Sequence, residues 1–395
     1  MKNNLVIYIL ALANAAVVVG MGLITPSIII IKNDFNLSAD IVQLVLTYYM
    51  VAAGLGQLLF GTLSDRFGRR PILLAGGLLF VLSSIIATFS PNISSLLFLR
   101  VTQGLGAAAC MSMARVIIND SFNKTEAAEK LSLVTAIMVI FPLLSLILGG
   151  FIAQTIGWIG IMYVFFIFGL IILMGSFFLV PETKLNKIKS LEFKRIFNSY
   201  GAVLGNTKFL IFTFIGSIQV GVFFSSFGFM PYEFARLGVS PLEFGFWISF
   251  TGIGYFTGNI LNRYYAASLG IEKLIIIGCL FSLTSYFLIL MMNVNSFAHP
   301  LYISLPLILF GIGNGFSVAN CIIGGISTTG IHSGTATGIA GAMQMSSGGI
   351  IGAIVINMGG DQNFLFCLLF MNSLCLIAVL ASFFNYKNRH QVLVN

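Results

Sequence analysis

The amino-acid sequence predicts an all-α membrane protein in which about twelve transmembrane helices form two pseudo-symmetric six-helix halves. The composition is the first reason, because 58% of the 395 residues are hydrophobic, 8% are charged, and the mean hydropathy is +1.00. The second reason is a series of apolar runs that reach the roughly 20 residues needed to cross a bilayer. The third is a polar segment near the middle of the chain, which divides these runs into two groups of six.

The apolar runs predict the spans in chain order, with boundaries taken to within a few residues. The predicted spans are residues 5–31, 42–63, 72–90, 95–118, 131–154, 159–180, 209–231, 242–263, 274–293, 302–326, 337–358 and 364–386. The first span is longer than the apolar region of a signal peptide and no A-x-A cleavage site follows it, so we expect it to be retained.

The distribution of basic residues predicts the orientation in the membrane. With the N-terminus inside, sixteen of the 20 lysines and arginines fall on the cytoplasmic side, whereas only Lys32 and Arg236 fall in outer loops. The positive-inside rule therefore places both termini in the cytoplasm. The net charge of +8 is a consequence of this topology, and nucleic acid is not an expected partner.

The polar segment Glu182–Lys208 predicts the domain boundaries. We expect an N-terminal half at residues 1–181, a cytoplasmic linker at 182–208 and a C-terminal half at 209–395. Apolar residues alternate with basic ones in part of the linker, which could lie along the membrane surface or act as a solvated tether.

Two internal echoes indicate that the halves arose by duplication. The segment 61–66 (GTLSDR) is echoed by 258–263 (GNILNR), and Gln103-Gly104 is echoed by Asn314-Gly315. Both offsets are close to half the chain length, which favours a parallel repeat of six helices. Asn262 stands in the second copy where Asp65 stands in the first.

The loop after the second span contains the densest cluster of charge in the chain. Residues 61–70 read GTLSDRFGRR, with one aspartate and three arginines. This stretch resembles the signature G-x-L-x-D-R-x-G-R-R loop of major facilitator superfamily transporters, whose halves enclose a central cavity. The resemblance implies a gating loop that holds the outward-open state; its residues here are Gly61, Asp65, Arg66, Gly68, Arg69 and Arg70. Ordinary positive-inside topology would explain the arginines but not Asp65 or the glycines.

The fourth and fifth spans extend the resemblance. Arg100, Gln103 and Gly104 match the R-x-x-Q-G motif of the superfamily, which implies that Arg100 and Gln103 serve the cavity and coupling. The alternative is that Arg100 extends to the membrane interface. Residues 114–120 resemble the Bcr/CflA drug-resistance branch, and Arg115 is expected to pair with Asp120 or Glu126. Pro142, Gly149 and Gly150 match part of the antiporter motif of drug exporters and are expected to serve helix packing.

Polar side chains within the spans are candidates for contact with the substrate, although many polar residues in membrane helices only join one helix to another. The candidates are Asn14, Thr25, Tyr48, Gln219, Asn259, Asn314 and Gln344.

The sequence predicts no carboxylate deep inside a span. All twelve acids can be assigned to loops or span ends, including Asp34 and Glu233 on the outer side. Proton-coupled export of a cation needs a buried carboxylate, so an unpaired Arg100 favours a neutral, zwitterionic or anionic substrate. Asp34 would restore the conventional mechanism if it folded back towards Arg100.

The predicted function is secondary transport of a small organic solute across the bacterial inner membrane by alternating access. The resemblance favours a multidrug or metabolite exporter of the Bcr/CflA type. The alternative is a carrier of an anionic or zwitterionic metabolite or siderophore without classical proton antiport. The expected partners are the substrate, membrane lipid and protons, and we expect a monomer.

Other function classes have little support in the sequence. An enzyme would need clustered acid, base, nucleophile or metal ligands, and the spans contain no such cluster. The sequence contains no Gly-rich phosphate-binding loop, so ATP is not expected as the energy source. The five cysteines lie in apolar runs without metal-ligand spacing, so neither a metal nor another cofactor is expected. A receptor or a structural membrane protein is a further alternative.

Overall fold

The computed structural model describes residues 4–184 and 193–387, and this part of the chain contains helices and no strands. In the N-terminal part the helices are α1 (Asn4–Gly22), α2 (Ile28–Asp34), α3 (Ala39–Phe67), α4 (Arg69–Ala87), α5 (Ile93–Ser121), α6 (Lys124–Thr155) and α7 (Trp158–Leu179). The short α8 (Phe193–Leu204) lies within the segment predicted as the linker. The remaining helices are α9 (Thr207–Arg236), α10 (Pro241–Ile248), α11 (Phe250–Leu269), α12 (Ile271–Val294), α13 (Leu301–Ser327), α14 (Ser333–Asn357) and α15 (Phe364–Lys387).

The observed helices coincide with the predicted spans. In the described ranges, ten helical stretches are long and apolar enough to cross a membrane. The first of these, Leu5–Asp34, combines α1, a single 3-10 turn and α2. The fifth predicted span corresponds to α6, and the eighth corresponds to α10 and α11 with a break at Ser249. An all-α membrane fold is therefore confirmed.

The helices form two compact units. One comprises Met1–Glu192 together with Pro241–Gly245, and the other comprises Phe193–Ser240 and Phe246–Asn395. In the first unit α5 packs between α3 and α4, α4 packs on α7, and α1 packs on α5, α6 and α7. In the second, α13 packs between α11 and α12, α12 packs on α15, and α9 packs on α13, α14 and α15. Each of the long helices α1, α3, α4, α5, α6 and α7 thus has a counterpart with equivalent neighbours in the second unit.

Glycines bring equivalent helices close together in both units. In the first unit a Cβ on Gly106 of α5 would lie 2.7 Å from the carbonyl oxygen of Gly76 on α4. In the second unit Gly278 of α12 and Gly313 of α13 each lie against the other's carbonyl oxygen. Lipid provides no hydrophobic driving force between helices. Small residues compensate because they let the helix backbones approach closely and pack.

The first span is interrupted in the second half of Leu5–Asp34. Regular helix ends at Gly22, a 3-10 turn covers Thr25–Ser27, and helix resumes at Ile28. The side chain of Thr25 donates to the carbonyl oxygen of Met21 at 2.9 Å, and Ser27 donates to Ile24 at 2.7 Å. These hydroxyls supply additional donors to carbonyl groups at the interruption; the Ile24 carbonyl also accepts the backbone N–H of Ser27 at 2.9 Å. Thr25, predicted as a substrate contact, is wholly buried at this turn.

Candidate functional site

Arg100 is the largest side chain that is fully buried, with 0% of its surface exposed. It lies in the second turn of α5. The alternative predicted from the sequence, extension of the side chain to the membrane interface, would require an exposed guanidinium. The side chain instead turns into the first unit. An arginine in this position must find partners for its donors, because an unpaired charge in an apolar environment is costly.

The guanidinium of Arg100 is held by three helices. Its Nε donates to the carbonyl oxygen of Val45 on α3 at 3.2 Å, its Nη1 donates to Oε1 of Gln103 at 2.7 Å, and its Nη2 donates to the carbonyl oxygen of Gly20 on α1 at 2.9 Å. The Arg100 Cζ atom lies 4.0 Å from the centre of the Tyr49 ring, a cation–π geometry. No carboxylate contacts it among the described residues.

The interruption of the first span supplies the compensating charge. The last turn of a helix carries a partial negative charge on its free carbonyl groups, and Gly20 lies in the last turn of α1. The hydroxyl of Tyr49 donates to the carbonyl oxygens of Ala16 and Val17 in the same region, each at 3.1 Å. The cation of Arg100 is therefore balanced by the carboxyl-terminal end of α1 and by the Tyr49 ring.

Gln103 extends this cluster to two further helices. Its Nε2 donates to the hydroxyl of Ser84 on α4 at 2.8 Å and lies 3.9 Å from the sulfur of Met162 on α7. Gln103 and Ser84 are both completely buried. Arg100 and Gln103, which the sequence paired, thus lie in one hydrogen-bonded group that joins α1, α3, α4, α5 and α7. We call it the Arg100 cluster, meaning Arg100, Gln103, Tyr49 and Gly20.

Asp34 lies elsewhere. It is exposed at the end of α2, and its Oδ2 accepts a hydrogen bond of 2.9 Å from the indole nitrogen of Trp158 at the start of α7. The neighbouring Phe35 packs on the Trp158 ring with centroids 5.6 Å apart. The fold-back of Asp34 towards Arg100 is not present in this structure.

The charged loop forms a second group at the other end of the first unit. Arg69 is buried and contacts Asp65 through Nη1 at 2.9 Å and Asp120 of α5 through Nε at 3.0 Å. Its Nη1 also donates to the hydroxyl of Ser64 at 2.5 Å. Lys184 contacts Asp65 at 3.0 Å. The loop therefore joins the ends of α3, α4 and α5 to the segment that follows α7.

Two helix ends bind charges in this group. The carboxylate of Glu182 accepts the backbone N–H of Arg69, the first residue of α4, at 2.9 Å, which places a negative charge at a helix N-terminus. Arg70 donates at 2.6 Å to the carbonyl oxygen of Phe177 near the C-terminus of α7. The sequence analysis did not single out Glu182, although its charge directly after the sixth span was a usable signal.

The glycines of the loop differ in their structural requirement. Gly68 ends α3 and begins α4 with φ 107° and ψ 160°, a conformation that is essentially restricted to glycine. Gly61 has no atom within 4 Å of the position that a Cβ would take. Arg66 lies over the exposed ring of Phe67 at 5.3 Å.

Asp120 and Asn14 have partners that the sequence did not predict. Asp120 binds Arg69 at 3.0 Å and also accepts from Thr183 at 3.4 Å; the pairing of Arg115 with Asp120 or Glu126 stays a prediction. Arg115 donates to the side-chain oxygen of Asn14 on α1 at 2.8 Å. Spacing along α5 could not indicate Arg69 as a partner of Asp120, because the fold brings the start of α4 to the end of α5.

The packing residues of the fifth span lie beside the interruption of the first. A Cβ on Gly149 would meet the backbone of Leu23, and a Cβ on Gly22 would meet the Ser145 hydroxyl. Gly150 is buried, and Pro142 lies within α6. The backbones of α1 and α6 are therefore in close contact where α1 ends.

Polar candidates in the second unit meet where α9 packs on α13 and α14. The Ser347 hydroxyl of α14 donates to the carbonyl oxygen of Ser217 on α9 at 2.8 Å and to that of Gln344 at 2.7 Å. Two buried side-chain atoms at this contact, Nε2 of Gln344 and Oγ of Ser217, have no hydrogen-bond partner among the described residues. We call this region the Gln344 seam and define it by Ser217, Gln344 and Ser347.

The other polar candidates have local partners or lie at the surface. Gln219 accepts from Ser282 at 2.8 Å, although its buried Nε2 has no hydrogen-bond partner among the described residues. Asn259 donates to the carbonyl oxygen of Tyr255 at 2.7 Å, and Asn314 donates to that of Phe310 at 3.3 Å. Tyr48 is exposed on α3. These contacts fit helix-to-helix or within-helix roles better than they fit one assembled site.

Glu233 is a site residue that the sequence analysis missed. It was assigned to an outer loop, but it lies inside α9 and is 8% exposed. Its Oε1 accepts from the Tyr302 hydroxyl of α13 at 2.9 Å, and its Oε2 contacts Arg236 at 3.1 Å. The spacing of Glu233 and Arg236, three residues apart, was the available signal for a helix that continues past Pro231.

Comparison with known proteins gives one family over most of the chain. The family model described as Major Facilitator Superfamily matches residues 10–353. A bicyclomycin resistance protein homolog of Haemophilus influenzae is 27% identical over 381 residues, covering 94% of each chain. A chloramphenicol resistance protein of Pseudomonas aeruginosa is 27% identical over 350 residues, covering 86% of this chain and 80% of its own. Among solved structures, a D-xylose-proton symporter superposes with a TM-score of 0.78 at 17% identity over 97% of both chains.

Proposed function

The chain belongs to the major facilitator superfamily and is an integral membrane transporter, and we propose that it exports small uncharged organic compounds in exchange for protons. Export would proceed by alternating access across the bacterial plasma membrane, with both termini in the cytoplasm. The halves at 1–181 and 209–395 would move as bodies joined by the linker 182–208. Members of this superfamily are transporters and not enzymes, in agreement with the expectation from the sequence.

The Gln344 seam is the observation that carries the choice of substrate. Gln344 is 5% exposed and Ser217 is 7% exposed, and both present buried, unpartnered donors without a charge. A buried polar group without a partner carries a free-energy cost of roughly 1–3 kcal/mol. A substrate with carbonyl or hydroxyl groups would remove that cost, whereas a charged substrate would find no opposite charge in the seam.

The named relatives agree with an uncharged or weakly polar organic substrate class. Two of them are called resistance proteins for bicyclomycin and chloramphenicol, and similarity to the first extends over 94% of this chain. Drug export is therefore the reading we prefer over export of a metabolite. The charged loop 61–70 would stabilise one of the alternating states, with lipid around the spans and a single chain as the working unit.

A carrier of an anionic or zwitterionic metabolite or siderophore is the second candidate. The buried cation of Arg100, which has no carboxylate partner, is the observation that favours it. Each of the three nitrogens of the Arg100 guanidinium already donates to Val45, Gln103 or Gly20, however, and the residue has 0% exposure. An anion would have to displace bonds that also satisfy the end of α1.

Transport in proteoliposomes tests the proposal. Chloramphenicol, a lipophilic cation and a polycarboxylate siderophore are offered in parallel with and without an imposed pH gradient. We expect gradient-driven movement of chloramphenicol, and a reduction of about tenfold in Gln344→Leu and Ser217→Ala. Movement of the siderophore alone, lost in Arg100→Leu, would establish the second candidate.

A matched control is available on the same helix. Ser225 of α9 is also buried, but its hydroxyl is already bonded to the carbonyl oxygen of Val222 at 3.1 Å. Ser225→Ala removes the same atom as Ser217→Ala and should leave chloramphenicol transport unchanged. Equal losses in both variants would mean that the seam acts only through packing.

A further inference from the structure

Glu233 differs from every other carboxylate whose burial the structure describes. The remaining described aspartates and glutamates are exposed or half-buried, whereas the side chain of Glu233 is only 11% exposed. It lies in α9, a helix with the length and hydropathy of a membrane span. An ionisable residue in such a place is expensive to keep and is a functional candidate by default.

Both oxygens of the Glu233 carboxylate have partners from different parts of the second unit. Tyr302 of α13 donates to one oxygen at 2.9 Å and Arg236 contacts the other at 3.1 Å, so the ionised form has a partner on each oxygen. Arg236 is 41% exposed and also donates to the backbone carbonyl of Asp361 in the turn between α14 and α15. The cluster is therefore open to the surroundings of the protein on the side of Arg236.

The groups that face Glu233 come from each element packed around it. Arg236 lies on its own helix, Tyr302 on α13, Asp361 in the turn before α15, and Cys367 on α15 within electrostatic range of Glu233 and Arg236. Asn293 of α12 lies 3.4 Å from the Tyr302 hydroxyl. The cluster thus joins α9 to three neighbouring helices, and a change in the charge of Glu233 would alter the attachment of α9 to them.

We propose that Glu233 is the carboxylate through which this transporter binds and releases the coupled proton; the inference rests on the proposed proton exchange. In the binding step one proton from water bonds to a carboxylate oxygen, and the ion pair with Arg236 is lost. Arg236 keeps its bond to the carbonyl of Asp361. In the release step the proton returns to water and the ion pair forms again. No other atom changes its covalent bonds.

The first test compares two modes of transport in Glu233→Gln, which fixes an uncharged side chain of the same size. Counterflow exchanges labelled for unlabelled chloramphenicol without a gradient and needs no proton binding. We expect counterflow within about twofold of the original chain and gradient-driven transport reduced at least tenfold. Glu233→Asp keeps a carboxylate and should recover part of the gradient-driven rate.

Controls separate a coupling role from a structural one. Asp34→Asn, which alters the exposed carboxylate bonded to Trp158, should retain gradient-driven transport. Tyr302→Phe removes one hydrogen bond but keeps the Glu233 carboxylate, and it should also retain coupling at a reduced rate. Loss of counterflow and of gradient-driven transport together in Glu233→Gln would indicate a purely structural residue and overturn the proposal, as would full coupling in that variant.

A measurement on the unaltered chain covers the case in which the variant does not fold. A hydrophobic carbodiimide adds across its C=N bond to a protonated buried carboxyl group, without a leaving group, to give an acylurea. Mass spectrometry should find this adduct on Glu233, increasing as the pH falls and decreasing when chloramphenicol is present. No adduct on Glu233 at any pH at which transport runs would overturn the proposal.

The outcomes also distinguish this inference from the proposed function. If the unaltered chain shows counterflow but no response to a pH gradient, proton exchange itself is wrong. If the unaltered chain responds to the gradient and Glu233→Gln responds equally, proton exchange stands and only the assignment to Glu233 fails.

Discussion

The guanidinium of Arg100 donates a hydrogen bond of 2.9 Å to the carbonyl oxygen of Gly20, in the last turn of the first helix. Helical bonding continues at the preceding carbonyl, since the N–H of Leu23 donates to Val19 at 3.1 Å. Arg100 therefore donates to a carbonyl oxygen at the point where the first span leaves regular helix. A charged donor is well suited to that position because the end of a helix is partially negative.

Replacing Arg100 should weaken both stability and transport. Arg100→Leu leaves the carbonyl oxygens of Val45 and Gly20 and the Oε1 of Gln103 without this donor, and we expect a loss of about 2–4 kcal/mol in unfolding free energy. Arg100→Lys keeps the charge but not the planar fork of donors, so it should recover less than half of the loss. Thermal melting in detergent and chloramphenicol counterflow are the measurements. A melting temperature unchanged by Arg100→Leu would contradict a stabilising role of the Arg100 cluster.

Tyr49 allows its hydroxyl and its ring to be tested separately. Tyr49→Phe removes the hydrogen bonds to Ala16 and Val17 but retains the ring under Arg100, so we expect a cost of about 1 kcal/mol. Tyr49→Leu also removes the cation–π contact and should cost about 2 kcal/mol more. Both are read from thermal melting. Equal effects in the two variants would show that the ring contributes nothing beyond its hydroxyl.

Arg69 should be the most sensitive arginine of the charged loop. Arg69→Ala leaves Asp65, Asp120 and the Ser64 hydroxyl without their shared donor, and we expect transport to fall at least tenfold. Arg69→Lys can reach only one of the two carboxylates at a time and should give an intermediate rate. Arg66→Ala is the matched control, because Arg66 contacts an exposed ring. Similar losses in Arg66→Ala and Arg69→Ala would point to net charge alone.

Gly68 and Gly61 should respond differently to the same change. Gly68→Ala places a Cβ on a backbone at φ 107° and ψ 160°, which costs roughly 1–3 kcal/mol. Gly61→Ala meets no atom within 4 Å and lies inside α3, where alanine is the better helix former. Thermal melting should fall in the first variant and stay level or rise in the second. A loss of transport in Gly61→Ala without a loss of stability would assign Gly61 a role in motion.

Local patterns predicted the helices well and the pairing of charges poorly. The spans follow from hydropathy, because a lipid environment forces apolar runs of about twenty residues into helices. The partner of Asp120 does not follow from its neighbours in sequence, since Arg69 is 51 residues away. Glu233 was assigned to an outer loop because the seventh span was predicted to end at residue 231, yet α9 continues to Arg236.

Sequence alone determined the family, the all-helical membrane fold and the internal repeat, because each is encoded in hydropathy and short motifs along the chain. The tertiary structure decided which polar groups join one helix to another and which of the described ones have no partner. It assigned the charge of Arg100 to the end of α1, Asp34 to Trp158, and the one described buried carboxylate to α9. These pairings join residues far apart in the chain, and only folding brings a donor and an acceptor to within 3 Å of each other.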